Sequence, residues 1–394
     1  MVEWKKMWEI TTWDKKFQGV DKSMQSHIIQ YPYLLAKDLF ALSIPNGNIK
    51  LLSTGVQEGW TTEEVAGEYI CEGEVVSIPW GKSPGAKNPV KYYKGKFVTG
   101  DNRIATSTNP NVLNNKFLYY WLIKNSDLLD TFYRGAGIQH PSMYMVLMMD
   151  IPIPSLAEQT RIVGILDTFT ASIDNLKEQI AERCKQYEHY HDKLLDLEGK
   201  EGVEMKTLGE VCNFVRGPFG GALKKEIFVK SGYSVYEQQH AIYGLWDFRY
   251  FIDSKTFEKM KRFEVHSGDI IMSCSGTMGK TSIIPQNHEP GIINQALLKL
   301  SVIPNINNRF IKLFMDSTWF QEGLKNKTAG GAIQNVASVS ILKELDIAIP
   351  SHKDQSRIVS ILDTFEASIQ NLEAQLKERE KQYEYYRNKL LTFE

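Results

Sequence analysis

The sequence has no apolar stretch near the ~20 residues that a helix needs to cross a bilayer. The nearest, 143–153, is interrupted by Asp150. Its opening residues, MVEWKKMWEITTWDKK, lack the apolar segment of a secretory leader. Cysteine is scarce, with four in 394 residues (Cys71, Cys184, Cys212 and Cys274), far apart and without a C-x-x-C pair. That spacing argues against a disulfide framework or a cysteine zinc site, and the expectation is reduced, mostly buried thiols in a cytoplasmic protein with no membrane partner. No charge of one sign dominates: 46 Lys plus Arg stand against 47 Asp plus Glu, a net −1. Taken whole, that balance is not the basic excess usual for a nucleic-acid binder. Apolar residues at 42% and aromatics at 11% nevertheless suffice for the cores of two or three domains.

Catalytic constellations are missing as well. Gly279-Lys280-Thr281 resembles the end of a phosphate-binding loop, but Cys274 stands where its first glycine belongs. Asn109-Pro110-Asn111 lacks the second proline and the aromatic of the amino-methyltransferase motif. His189 and His191, two apart on a helix, face different ways and read as surface residues rather than metal ligands. No catalytic residue and no metal site is expected.

What is present is a duplication. Residues 150–198 and 346–394 align at a constant offset of 196 with 31 identities in 49 positions. Each copy opens with a short strand ending at Pro154 or Pro350, and Ser155 or Ser351 can then cap a helix. Apolar residues follow in four-three spacing. The first copy has Ile162, Leu166, Phe169, Ile173, Leu176, Ile180, Tyr187, Tyr190, Leu194 and Leu197. The second has Ile358, Leu362, Phe365, Ile369, Leu372, Leu376, Tyr383, Tyr386, Leu390 and Phe393. One seam position breaks the rule in both, at Arg183 and Arg379. Five heptads of this kind predict two long helices that either pair as a coiled coil or pack separately on their own domains, and the duplication favours an antiparallel pair. The fold class is therefore α+β, with two mixed α/β domains joined by two long helices in a pseudo-twofold repeat.

The domains expected are 1–149, a first head; 150–201, strand plus helix; 202–345, a second head; and 346–394, strand plus helix. Landmarks recur in both heads: strand-like runs at 73–79 and 269–273, a following glycine loop, an Asn-Asn-basic-Phe helix start at 114–117 and 307–310, and Ile138-Gln139 or Ile333-Gln334 before the repeat.

The heads carry the candidate nucleic-acid contacts. In the first, Lys82, Lys87, Lys91, Lys94, Lys96 and Arg103 lie within 22 residues holding one acid, Asp101, with Trp80, Tyr92, Tyr93 and Phe97 interleaved. Lysines suit phosphates, while Ser83, Asn102 and Gln139 supply loop donors and amides for base edges. In the second, Tyr236, Gln238, Gln239 and His240 supply a polar cluster, with Ser275, Thr277, Lys280, Asn294 and Gln334 on the loops. Solvated loops are the plainer reading of either cluster. By segment the charges separate: the heads carry 16 basic against 14 acidic and 17 against 13, the helical segments 6 against 11 and 7 against 9. The neutral total is a cancellation between mildly basic heads and acidic helices.

The chain resembles the specificity (S) subunits of Type I restriction–modification systems. The resemblance rests on the Pro-bounded strand leading to Glu158-Gln159-x-Arg161-Ile162-Val163 and Asp354-Gln355-x-Arg357-Ile358-Val359, on Leu-Asp-Thr-Phe at 166–169 and 362–365, and on the stretch from Tyr236 to Ile242. It implies that the heads are target recognition domains, each binding half of a bipartite double-stranded DNA site. It implies that the helices set the spacer and dock two methyltransferase subunits, through which restriction subunits join. Adenine methylation with S-adenosylmethionine, and ATP- and Mg-dependent cleavage, would belong to those partners, leaving this chain without a cofactor or catalysis. An orphan or non-restriction DNA-binding scaffold is the alternative. The family's long N-terminal segment is not evident ahead of the first head.

Overall fold

The computed structural model describes residues 2–86, 90–219, 221–275, 277–326 and 339–393. Of the residues singled out above, Lys87, Ile333 and Gln334 lie outside these, as does Gly276 of the second head's glycine loop. The chain divides into two units, Met1–Lys177 with Gln375–Glu394, and Glu178–Ala374. Each is a head with one part of each long helix.

In the first unit, strands Thr11–Trp13, Asn102–Ser107, Cys71–Pro79 and Lys91–Thr99 lie side by side, all antiparallel. Ile49–Leu52 adds in parallel beside Lys91–Thr99, and Gly59–Thr61 completes a six-stranded sheet. Helix Asn115–Lys124 covers it, burying Phe117, Leu118, Tyr120, Trp121 and Leu122. Asn114 starts that helix by accepting hydrogen bonds from the amides of Lys116 and Phe117.

In the second unit, Cys212–Arg216, Leu297–Val302, Ile270–Ser273 and Thr281–Ile283 repeat the same four-strand order and sense. Asn307 caps helix Asn308–Asp316 as Asn114 does its counterpart. The heads diverge beyond those four strands. The second places Phe228–Val229, Phe251–Ile252, Tyr233–Tyr236 and Gly291–Ile293 in a separate sheet. The heads thus share a frame and differ in what is attached to it.

The expected helices form, at Leu156–Leu195 and His352–Leu390. Forty residues at 1.5 Å each make the first about 60 Å long. It stops two residues before Leu197, which still packs into the second head's core, and Phe393 likewise lies beyond its helix but against the first head's core. Within each unit the two helix segments run antiparallel. In the first, Phe169 stacks on Tyr386 at 5.3 Å, and in the second Tyr190 stacks on Phe365 at 5.5 Å, the same pair with its members exchanged. The two off-pattern arginines belong to this seam. Arg379 lies 5.7 Å from the Phe169 ring and Arg183 5.7 Å from that of Phe365, so each exchanges apolar packing for a cation–π contact.

Two expectations need correction. The first two seam positions of each helix, Ile162 with Leu166 and Ile358 with Leu362, sit in the head cores, so the helix-to-helix seam is shorter than five heptads. His191 is not a surface residue: it is buried beside Tyr187, while His189 is exposed. Three cysteines are buried and Cys184 is partly so, all free. Among the described residues no helix is long and apolar enough to cross a membrane.

Candidate nucleic-acid interface

The repeat motifs tie each head to its helix. Gln159 is fully buried; its Oε1 accepts from the Asn114 amide at 2.8 Å, and its Nε2 donates to the carbonyls of Val112 at 2.8 Å and Pro154 at 2.9 Å. Gln355 repeats this with the Asn307 amide and the Pro350 carbonyl, each at 2.9 Å. One helical stretch later, Asp167 accepts from Lys116 Nζ at 2.8 Å and the Tyr120 hydroxyl at 2.6 Å. Asp363 accepts from Arg309 Nε at 2.8 Å, and Glu366 takes the other side of that guanidinium. The Gln and the Leu-Asp-Thr-Phe aspartate are therefore the sockets for the head's Asn-Asn-basic-Phe helix start.

A further element went unread in the sequence. Strand Glu3–Lys6 pairs antiparallel with Asp150–Ile153, and Glu204–Thr207 pairs with Asp346–Ile349. Each continues into a one-turn helix and the first sheet strand. The shared pattern Glu-x-Lys-x-apolar-x-Glu-apolar, at 3–10 and 204–211, was the available signal. Its offset is 201 rather than 196, which hid it from the repeat alignment.

With the helix end of each sheet defined, the opposite end can be located. Strand Asn102–Ser107 meets the anchor at Ser107, whose amide binds Asn115, and leaves Asn102 and Arg103 at the far end. There Trp80, Lys82, Gln139 and Arg103 come together. Lys82 and Gln139 exchange backbone hydrogen bonds, and Arg103 lies over the Trp80 ring at 3.8 Å. Gly81 allows this closure, because a Cβ there would stand 2.8 Å from Ile138 Cγ2. Ser83 is exposed on the same loop. Lys82 itself is spent on Asp130 at 2.8 Å.

The remaining candidates of this head are placed elsewhere. The Tyr92 hydroxyl donates to Glu74 at 2.9 Å, and its ring lies 5.2 Å from Lys116 Nζ, on the helix side. Tyr93 packs on Phe97, and Lys94 is exposed but paired with Glu74. Asn102 is interior, donating to the Leu52 carbonyl at 2.8 Å.

In the second head, Gln238 donates to the carbonyl of Ser275, and the Asn294 amide donates to the Tyr236 carbonyl at 2.9 Å, gathering these loops at the corresponding sheet end. Thr277 and Lys280 are exposed there, and the Gln239 side chain reaches the Asp247 carbonyl. Tyr236 and His240, expected as contacts, are instead fully buried. The Tyr236 hydroxyl donates to the Glu289 carbonyl at 2.6 Å, and burial raises its pKa. His240 Nδ1 accepts from the Glu237 amide at 2.7 Å, leaving Nε2 to donate to the Asp247 carbonyl at 3.0 Å. Their polar atoms serve the turn. Beside it the buried Glu237 forms a bidentate pair with the exposed Arg249.

Residues 35–186 and 200–380 match the model of the Type I restriction modification DNA specificity domain. A putative type I restriction enzyme specificity subunit of Haemophilus influenzae is 30% identical, over 82% of this chain and 84% of that one. The specificity subunit of a type I restriction enzyme of Escherichia coli is 29% identical, over 74% of each. The fold is similar to that of the Type I restriction–modification S subunit of M. genitalium, with a TM-score of 0.64 at 18% identity, covering 100% and 97% of the two chains.

Proposed function

The chain belongs to the Type I restriction–modification DNA specificity family and is a specificity subunit, and from that membership we propose that each head binds one half of a bipartite, asymmetric double-stranded DNA site. The observation that carries this reading is the pairing of like sockets with unlike tips. Gln159 and Gln355, Asp167 and Asp363, hold the two heads by the same chemistry, while the distal loops share no contact set. An asymmetric target needs that arrangement: equal mounting and different readout.

The paired helices set the spacer and dock two methyltransferase subunits, through which restriction subunits join. Support for docking comes from exposed helix positions. Arg161, Thr168, Ala171, Glu182 and Lys185 are solvent-facing and recur unchanged as Arg357, Thr364, Ala367, Glu378 and Lys381. Packing within the chain does not require identity at exposed sites, whereas two copies of one partner do. Methylation with S-adenosylmethionine and cleavage with ATP and Mg reside in those partners, this chain holds no cofactor, and the complex works in the cytoplasm. The heads are only mildly basic, so much of the phosphate neutralisation falls to the partners.

The test is a heptad inserted in both helices, after Lys177 and after Ala374. Seven residues add ~10.5 Å at 1.5 Å each, or about three base pairs. The methylated motif should keep both halves and gain a longer spacer, while a heptad in one helix alone should abolish assembly. An active double insertion with unchanged spacing refutes the spacer role.

A further inference from the structure

At the sheet end of the first head away from the long helix lies a cavity of about 620 Å³, lined by Asp14, Lys15, Tyr31, Tyr33, Trp80 and Arg103 among others. Arg103 is only 6% exposed. Its Nη1 donates to Asp101 Oδ1 at 2.8 Å and to the Asn102 carbonyl at 3.0 Å, while its Nε is buried with no hydrogen-bond partner among the described residues. Lys15 Nζ stands 3.1 Å from Asp101 and 4.1 Å over the Tyr33 ring. Gln30, on the same wall, holds a φ of +62°, a left-handed conformation that a glutamine seldom adopts and that marks local strain.

The second head shows that this arrangement is not demanded by packing. Matching the strands through Thr11↔Ser107 and Cys212↔Val302 puts Leu298, fully buried, at the place of Arg103. A buried ion pair is often no more stabilising than an apolar side chain of similar size. A buried, charged arginine that lines a cavity, where the sister head holds leucine, therefore points to a ligand.

The ligand's nature follows from size and charge. Arg103 is only 6% exposed, so a ligand that touches it has to sit down into the cavity. Asp14 and Asp101 balance Lys15 and Arg103, so a phosphate gains nothing there. Burial alone would raise the Asp101 carboxyl, yet Arg103 and Lys15 hold it below its ordinary value, keeping it an acceptor. Aromatic walls with donors and acceptors at the floor suit a neutral, planar heterocycle, and the volume falls within the roughly 300–1,000 Å³ of small-ligand sites.

We propose that this cavity receives a single nucleobase rotated out of the DNA bound by the first head. The proposal rests on the DNA-binding reading of that head and adds a mode of readout to it. Extrusion costs a few kcal/mol of stacking and pairing, which the pocket contacts must offset.

The experiment uses the complex of this chain with its methyltransferase subunits and duplexes carrying the methylated motif, with 2-aminopurine placed in turn along the first half-site. The expected result is a several-fold fluorescence rise at one position on binding. Arg103→Leu, which installs the sister head's residue, and Tyr33→Ala, at a side chain 47% exposed, should each remove that rise, with thermal midpoints checked for both. No rise anywhere, or a rise that persists in both variants and so belongs to another subunit, overturns the proposal. Saturable quenching of Trp80 by a free nucleoside monophosphate, without any rise in the duplex, would assign the cavity to a free nucleotide and also overturn it. Absence of duplex binding by anisotropy is the distinct result that defeats the DNA-binding reading itself.

Discussion

Replacing Gln159 by alanine removes the socket of the first head while leaving every candidate DNA contact in place. The side chain is fully buried and makes three hydrogen bonds, to the Asn114 amide and the Val112 and Pro154 carbonyls. A buried polar group that loses its partner costs about 1–3 kcal/mol. Three such groups, partly relieved by water entering the cavity, give an expected loss of about 3–5 kcal/mol. Gln355→Ala strands two groups, the Asn307 amide and the Pro350 carbonyl, and should cost about 2–4 kcal/mol by the same rule. Urea unfolding followed by tryptophan fluorescence separates the two. Trp4, Trp8, Trp13, Trp60, Trp80 and Trp121 report the first unit, and only Trp246 and Trp319 report the second. Gln159→Ala should therefore move most of the fluorescence amplitude to lower urea, and Gln355→Ala only a minor part. Losses below about 0.5 kcal/mol in both variants, the range of ordinary surface substitutions, would refute the socket argument.

Other outcomes follow from the same geometry. Arg379→Leu should keep the seam paired, because it exchanges a cation–π contact for apolar packing, with a stability change within about 1 kcal/mol by thermal melting; a collapse of helicity would contradict it. Burial pushes the Cys71 and Cys274 thiols up to about 11 and Cys212 to about 12. A raised thiol pKa leaves little thiolate at pH 8, so Cys184 should react first with a thiol reagent and the other three only on unfolding. Reversing charge on the repeated exposed face, with Arg161→Glu and Arg357→Glu, should leave folding intact and weaken methyltransferase association at least tenfold; unchanged association would move the docking surface elsewhere. Isolated chain should bind duplex weakly and steeply salt-dependently, whereas nanomolar sequence-specific binding without partners would overturn the division of phosphate contacts.

The duplicated helices were legible because their spacing is periodic and their identities are dense, and the Asn-Asn-basic-Phe landmark was visible without its purpose. Its role needed three dimensions: nothing in the order of residues joins Asn114 to Gln159, forty-five positions on, or Lys116 to Asp167. The first strand escaped notice because its match at 204–211 is short and offset by five. Polarity misled at Tyr236, His240 and Asn102, since a buried polar side chain and a DNA-contacting one have the same letters. What distinguishes them is where the hydrogen bonds go. For these three they go to carbonyls within the fold, and for Arg103 only in part.

The most direct measurement is an exchange of heads followed by methylome sequencing. Residues 1–149 are replaced by the first head of a relative with a different motif, keeping Asp150 onward with Gln159 and Asp167. The methylated sequence should change in one half only, with the other half and the spacer intact. A change in both halves, or in neither, would contradict the assignment of one head to each half-site.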